Sequence, residues 1–105
     1  MRIDVVMVSP QTAAVANTAS TGVDATGYRE VVIHADNLAT TEEVDIYMNS
    51  NGSKKPVYNY NTSVAAVLTA TAPAIALVGG LEYFVAKDAT AGSCGVYATC
   101  ISPTT

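Results

Sequence analysis

The sequence contains no tryptophan, and phenylalanine, histidine and glutamine each occur once, as Phe84, His34 and Gln11. The apolar half of the chain is mostly alanine and valine, so any core must be built from small side chains. Such side chains cover a pleated sheet well, and long runs of strong helix formers are missing. A chain of 105 residues suffices for one independent core. The composition therefore predicts a single β domain spanning residues 1–105.

Positive charge is scarce as well. Five lysines and arginines stand against nine acidic residues, which gives a formal net charge of −4. Binding to nucleic acid normally requires a basic face that displaces counterions from the phosphates. We therefore expect no nucleic-acid partner, and a mildly acidic surface that favours solubility.

A long uncharged segment between Lys55 and Glu82 raises the question of a membrane span. A spanning helix requires about 20 predominantly apolar residues. This segment is chiefly alanine and threonine, interrupted by asparagine, serine, proline and glycine. The N-terminus is a poor signal peptide, because Asp4 interrupts its short apolar run and no small-residue cleavage site follows. The sequence predicts no membrane partner.

The two cysteines, Cys94 and Cys100, are six residues apart. In a strand their Cα atoms would be roughly 20 Å apart, whereas a disulfide requires about 4.4–6.8 Å. Their even spacing places both on one strand face, so we expect small buried thiols. Zinc requires three or four ligands and the chain has a single histidine, so the sequence predicts no metal site.

Acid–base catalysis requires ionisable groups that converge. Glu42 and Glu43 are adjacent, so in a strand they point to opposite faces, and we interpret them as solvated charge. His34 is the one candidate general base. It shares a strand face with Glu30, at an expected separation of roughly 7 Å. No nucleophile lies near it in sequence, and the prediction is a non-enzymatic protein without catalytic residues, metal or cofactor.

Alternation of apolar and polar residues predicts short strands along the chain. The first covers residues 2–8 and ends at Pro10, and residues 10–27 form a long loop or arm. The segment 63–71 is compatible with a strand or a short helix. The other predicted strands are Tyr28–Ala35, Glu43–Asn49, Val57–Tyr60, Ala74–Val78, Leu81–Lys87 and Ser93–Ile101, with Asn51-Gly52 as a hairpin turn and the last two strands as a hairpin. About seven or eight such strands predict an all-β, antiparallel β-sandwich or jelly-roll-like barrel.

One segment has the composition of a contact surface. Lys54 and Lys55 precede Tyr58 and Tyr60, next to the predicted turn. Tyrosine supplies a large amphipathic contact area and is enriched at interface hot spots. We predict these four residues as partner-binding. The alternative is an ordinary hairpin in which Tyr58 and Tyr60 shield the edge of the core.

Residues 28–101 resemble the small β-sandwich virion proteins of tailed bacteriophages, including capsid decoration or cement proteins. The resemblance is carried by a strand pair, Val31–His34 and Val44–Met48, a polar turn at Asn49–Ser53, and an Ala/Thr-rich stretch. The segments Leu77–Val85 and Lys87–Tyr97 complete it. Residues 10–27 match no part of the pattern.

The resemblance implies a protein of the virion, assembled in the host cytoplasm, that binds the major capsid protein and stabilises the head. It also implies self-association into a small homo-oligomer, a trimer being one form. We expect the segments 10–27 and Lys54–Asn61 to carry the contacts. The same fold would suit a phage tail or neck component, or a carbohydrate-binding or adhesion module, although sugar-binding sites commonly use the tryptophan that is absent here.

Overall fold

The computed structural model describes residues 2–58 and 65–102, and within them nine strands form two antiparallel sheets. This confirms the all-β prediction, with nine strands instead of seven or eight. A single turn of 3₁₀ helix, Ala19–Thr21, precedes β2. No helix in these two ranges is long and apolar enough to cross a membrane. The strands are β1 Arg2–Gln11, β2 Gly22–Asp24, β3 Glu30–Ala35, β4 Glu43–Ser50, β5 Ser53–Pro56, β6 Val67–Thr69, β7 Ala74–Val78, β8 Glu82–Lys87 and β9 Cys94–Ile101.

The two sheets differ in size. The four-stranded sheet has the order β1–β9–β3–β7. The five-stranded sheet has the order β2–β8–β4–β5, and β6 pairs with the N-terminal half of β4. The chain therefore begins and ends in the same sheet, where β1 pairs with β9.

The core lies between the sheets and consists mainly of small side chains. On β3 the buried positions alternate, with Val31, Ile33 and Ala35 inside. The central strands of the opposite sheet contribute their own alternating set, Val44 and Ile46 on β4 and Tyr83 and Val85 on β8. The buried tyrosine donates its hydroxyl proton to the carbonyl of Val78 at 2.7 Å, so its polar end is satisfied.

Both cysteines lie on the inner face of β9, together with Val96 and Ala98. They are unpaired and buried, as the sequence predicts. Burial raises the pKa of the Cys94 thiol and of the Cys100 thiol, which keeps them protonated and unreactive.

The first strand is longer than predicted, because Pro10 lies inside β1 and does not end it. β1 is an edge strand, and an edge tolerates proline where the missing N–H would face away from the sheet. Its pairing with β9 shifts register between Val6 and Val8 and again before Gln11. The first shift turns both Met7 and Val8 into the interior.

Two predicted strand pairs do not form. β3 and β4 lie in different sheets, and so do β8 and β9, which were expected to form a hairpin. The connection from Lys87 to Cys94 spans about 20 Å when extended, enough to cross the ~10 Å between packed sheets. Turn residues in this connection therefore mark a crossing between the sheets.

The segment 10–27, predicted as a long loop or arm, is only partly irregular. It includes the end of β1, the 3₁₀ turn and β2, which pairs with β8. Val15 exchanges two backbone hydrogen bonds of 2.9 Å with Lys87 at the other end of β8. The segment thus forms one border of the five-stranded sheet.

The sequence left segment 63–71 open between a strand and a short helix. Within it, Val67–Thr69 form the strand β6. Residues 59–64 lie outside the described part of the chain. The predicted turn at Asn51-Gly52 is confirmed, because both residues have positive φ angles, 52° and 82°. Positive φ at both central positions is the geometry of a type I′ hairpin turn.

Candidate partner-binding surface

The sequence-predicted binding residues do not form one patch. Lys54 and Lys55 are both exposed on β5, but successive strand residues point to opposite faces. Lys54 lies across from Asn49 and Lys55 across from Met48, which packs against the core. Tyr58 is 59% exposed and forms an isolated bridge with Ala65. Tyr60 lies outside the described residues.

Lys54 instead joins two aromatic residues on the outer face of the five-stranded sheet. Its ammonium nitrogen lies 4.7 Å from the ring centroid of Phe84. A cation over an aromatic ring is attracted by the ring quadrupole. Tyr47 lies across from Phe84 on one side and from Pro56 on the other. We call Tyr47, Lys54 and Phe84 the aromatic face.

The ring of Phe84 is only 8% exposed although it lies on an outer face, because it packs over Gly22. A side-chain carbon at Gly22 would lie 2.7 Å from the ring, so the glycine leaves the space that the ring occupies. Alternation predicts that Tyr47 faces away from the core. The pairing of Tyr47 with Phe84 depends on the β4–β8 register, for which the sequence carries no local signal.

The hairpin that carries Lys54 is fixed to the rest of the sheet. Asn49 accepts a hydrogen bond from the backbone N–H of Gly52 at 3.1 Å, which closes the turn. Its side-chain amide donates to the carboxylate of Glu82 at 2.9 Å. The hairpin turn is thereby tied to β8 and its position relative to the aromatic face is defined.

The segment 12–21 borders the same sheet on its opposite side. A depression of about 510 Å³ lies between Ala14–Asn17 and the outer residues Asp45, Tyr47 and Ala86. Three strand spacings separate β2 from β5, which is about 14 Å. The structure therefore brings segment 10–27 and residues 54–56 of segment 54–61 to the two borders of one sheet face.

This face is acidic at the end opposite Lys54. Burial raises the pKa of the Asp45 carboxyl, and the neighbouring charges of Glu43 and Asp88 raise it further. Within the described residues no cluster of three or more histidine, cysteine, aspartate or glutamate side chains has metal-binding geometry. The described ranges therefore carry no ligand set for a metal ion at this face.

His34 lies elsewhere, on the outer face of the four-stranded sheet. Its ring centroid is 5.3 Å from that of Tyr97. The predicted closeness to Glu30 is wrong, because four residues along a strand correspond to about 13 Å. Asp4 accepts a hydrogen bond from the Thr99 hydroxyl at 2.9 Å, which lowers the pKa of its carboxyl, as does the guanidinium of Arg2. These residues line a shallow depression of about 400 Å³.

Glu42, interpreted from the sequence as solvated charge, joins two loops. Its carboxylate accepts a hydrogen bond from the backbone N–H of Ala39 at 2.8 Å and another from Ala91 at 2.7 Å. Beside it, the buried Lys87 donates to the hydroxyl of Thr90 at 3.1 Å. The carboxylate of Glu42 thus links the two connections that cross between the sheets at this end.

These hydrogen bonds predict a pH dependence. Both amides favour the ionised carboxylate and lower the pKa of Glu42. A group whose pKa is lower in the folded state stabilises the fold above its unfolded-state pKa, and the stabilisation is lost as the pH falls through the folded-state pKa. We expect Glu42→Gln to reduce Tm at neutral pH and to lessen the further loss of Tm on acidification, measured by thermal unfolding across the acidic range.

Glu43→Gln is the matched control, since it removes the same charge at the adjacent exposed position. Its Tm at neutral pH should stay close to that of the wild type. If Glu42→Gln and Glu43→Gln gave the same pH profile, the carboxylate of Glu42 would not be what links the two loops.

The chain matches no family model and no curated protein. Among solved structures, it is similar to the crystal structure of the SPBc2 prophage-derived protein YomS. The TM-score is 0.73 at 15% sequence identity, and the match covers 97% of this chain and 94% of the other. The likeness shows a shared fold over nearly the whole of both chains.

Proposed function

We propose that the chain is a non-enzymatic structural virion protein that binds the surface of a phage head and stabilises the capsid. The observation that carries the proposal is the fold, which a prophage-derived protein shares over nearly its full length. The resemblance of residues 28–101 to small phage virion proteins supports it independently of that structure. Its partners would be the major capsid protein and further copies of itself, with no nucleic acid, membrane or cofactor involved.

The outer face of the five-stranded sheet is the surface we assign to the capsid. It presents Tyr47 and Lys54 beside the nearly buried Phe84, and aromatic residues dominate interface energetics. Segment 10–27 and residues 54–56 of the other segment expected to carry contacts border this face. The aromatic face is held in place by strand pairing on both sides, so little conformational entropy is lost on binding.

Stabilisation of a head follows from mass action. A protein that binds the assembled shell and not its free subunits favours assembly, in proportion to its affinity and occupancy. Modest contacts at many symmetry-related positions then add up over the particle. No catalytic step is needed for this function.

Cosedimentation with heads assembled from the major capsid protein of the same phage tests the proposal. We expect Lys54→Gln to weaken head binding by about tenfold, because it removes the cation of the aromatic face. Lys55→Gln is the matched control, with the same charge change on the opposite face of β5. The wild-type protein should also raise the temperature at which heads disrupt. Absence of wild-type binding, or equal losses for the two variants, would contradict the assignment.

A tail or neck component with the same fold is the nearest alternative. Quantifying the protein per particle separates the two, since a head-surface protein is present in hundreds of copies and a tail or neck protein in about a dozen or fewer. Copies that cosediment with purified tails and not with heads would favour the alternative.

A carbohydrate-binding module is a second candidate, favoured by one observation on the four-stranded sheet. The paired rings of His34 and Tyr97 lie beside the Asp4 carboxylate in a shallow depression, and sugars bind to such combinations of ring and hydrogen-bond acceptor. A glycan array tests it. Binding that is lost in Tyr97→Ala and kept in Lys54→Gln would support this candidate over the capsid surface.

A further inference from the structure

The free edges of the two sheets are unequally protected. An unpaired strand edge offers N–H and C=O groups to any other strand, and proteins usually block such edges with charge, proline, bulges or short length. β1 carries Arg2 and Asp4, contains Pro10 and shifts register. β5 carries two lysines and Pro56. The strands β2 and β6 have three residues each.

The remaining edge strand, β7, has none of these protections within its length. Its sequence is Ala-Ile-Ala-Leu-Val, and the chain has no charged residue between Lys55 and Glu82. It pairs with β3 on one side, and within the described residues no strand pairs with its other side. Val78 at its end is 67% exposed, the most exposed of the large hydrophobic residues in the described ranges.

We propose that β7 is the surface through which two copies of this chain associate, by antiparallel pairing of β7 with its copy across a two-fold axis. The two four-stranded sheets would then form one continuous sheet of eight strands. Pairing all five residues places Ala76 opposite Ala76 of the second copy. A two-fold contact of this kind uses the same surface on both molecules.

The strand is complementary to itself in this register. On the outer face, the exposed Val78 lies opposite the small Ala74 of the other copy. On the inner face, Ile75 lies opposite Leu77, and both already pack against the core. Each apolar side chain therefore meets an apolar neighbour, which is the unit of stabilisation in a sheet.

Charge does not oppose a second copy at this edge, although it does elsewhere on the surface. Each chain carries a net charge of −4, so most contacts between copies would oppose like charges. β7 is flanked by uncharged residues on both sides, Pro73 before it and Gly79-Gly80 after it. This edge thus allows close approach of two acidic molecules. A five-residue strand pair buries less than about 1,000 Å², which predicts a reversible dimer.

Sedimentation velocity on the purified protein tests the inference, which does not depend on head binding. We expect a monomer–dimer equilibrium with a Kd of about 1–100 μM. Ala76→Lys places two like charges at the two-fold axis and should raise this Kd by about tenfold or more. Val6→Lys is the matched control, at an exposed position on the same face of the opposite edge strand, and should leave it unchanged. Unaltered circular dichroism would show that both variants fold.

A cross-link gives a second readout. Directly opposite residues of antiparallel strands have Cα atoms about 4.5–5.5 Å apart, within the range of a disulfide. Ala76→Cys should therefore give a covalent dimer under mild oxidation, and Val6→Cys should not. A protein that remains monomeric up to about 1 mM, or equal effects of Ala76→Lys and Val6→Lys, would overturn the inference, as would a stable trimer.

Discussion

Replacing Gly79 with alanine is expected to destabilise the fold by about 3–4 kcal/mol, a large part of the stability of a small domain. A methyl group at this position would overlap the backbone carbonyl oxygen of Tyr28. The backbone at Gly79 cannot move away from that of Tyr28 easily, because the Gly79 N–H donates to the carbonyl of Arg29 at 2.8 Å and holds the two chain segments together. Urea denaturation followed by circular dichroism measures the change.

Gly27→Ala is the matched control for this substitution. A methyl group at Gly27 meets no atom within 4 Å, and the stability should stay within about 0.5 kcal/mol of the wild type. If both variants unfolded at the same urea concentration, the close approach of the β7–β8 turn to Tyr28 would not be present in solution.

The faces of the central strands could be predicted from the sequence, because they follow from local alternation. Val44 and Ile46 alternate with Glu43 and Asp45 along β4 and are buried, and Cys94 and Cys100 share the inner face of β9. The Asn51-Gly52 turn was also predictable, since these two residues tolerate positive φ angles. In each case the physical cause lies within a few residues of its effect.

The assignment of strands to sheets could not be predicted in this way. Alternation identifies the buried face of β8 and β9 but is the same whether they pair or face each other across the core. The connection Asp88–Ser93 is long enough for either, and what selects the crossing lies far away in sequence. Glu42 bonds to Ala91 in this connection, and Asn37 bonds to Ser93 at 3.1 Å.

The candidate site was predictable only in part, for the same reason. The tyrosine and lysine content near residue 54 was visible, but the grouping of Lys54 with Phe84 requires β4 to lie between β5 and β8. Likewise, nothing within residues 10–27 indicates that Val15 pairs with Lys87. Contacts between distant residues define this surface, and single-sequence patterns do not encode them.

Ile33→Ala tests the two-sheet core itself and is expected to cost about 3–4 kcal/mol. Ile33 is fully buried on β3, with Ala98 and Ile75 as its neighbours on the adjoining strands. Both neighbours are fixed by strand pairing and leave little scope for repacking, so the cavity should persist and add to the lost burial. The measurement is the free energy of unfolding from urea denaturation.

Val32→Ala is the control, because Val32 is the next residue on the same strand and points to the outer face. Val32→Ala should lower the free energy of unfolding by about 1 kcal/mol or less. The contrast follows from a strand buried on one side only, because a strand buried on both faces would give similar losses at the two positions. Equal destabilisation would therefore contradict the sandwich, and with it the outer face assigned to the capsid and the β7 edge assigned to the dimer.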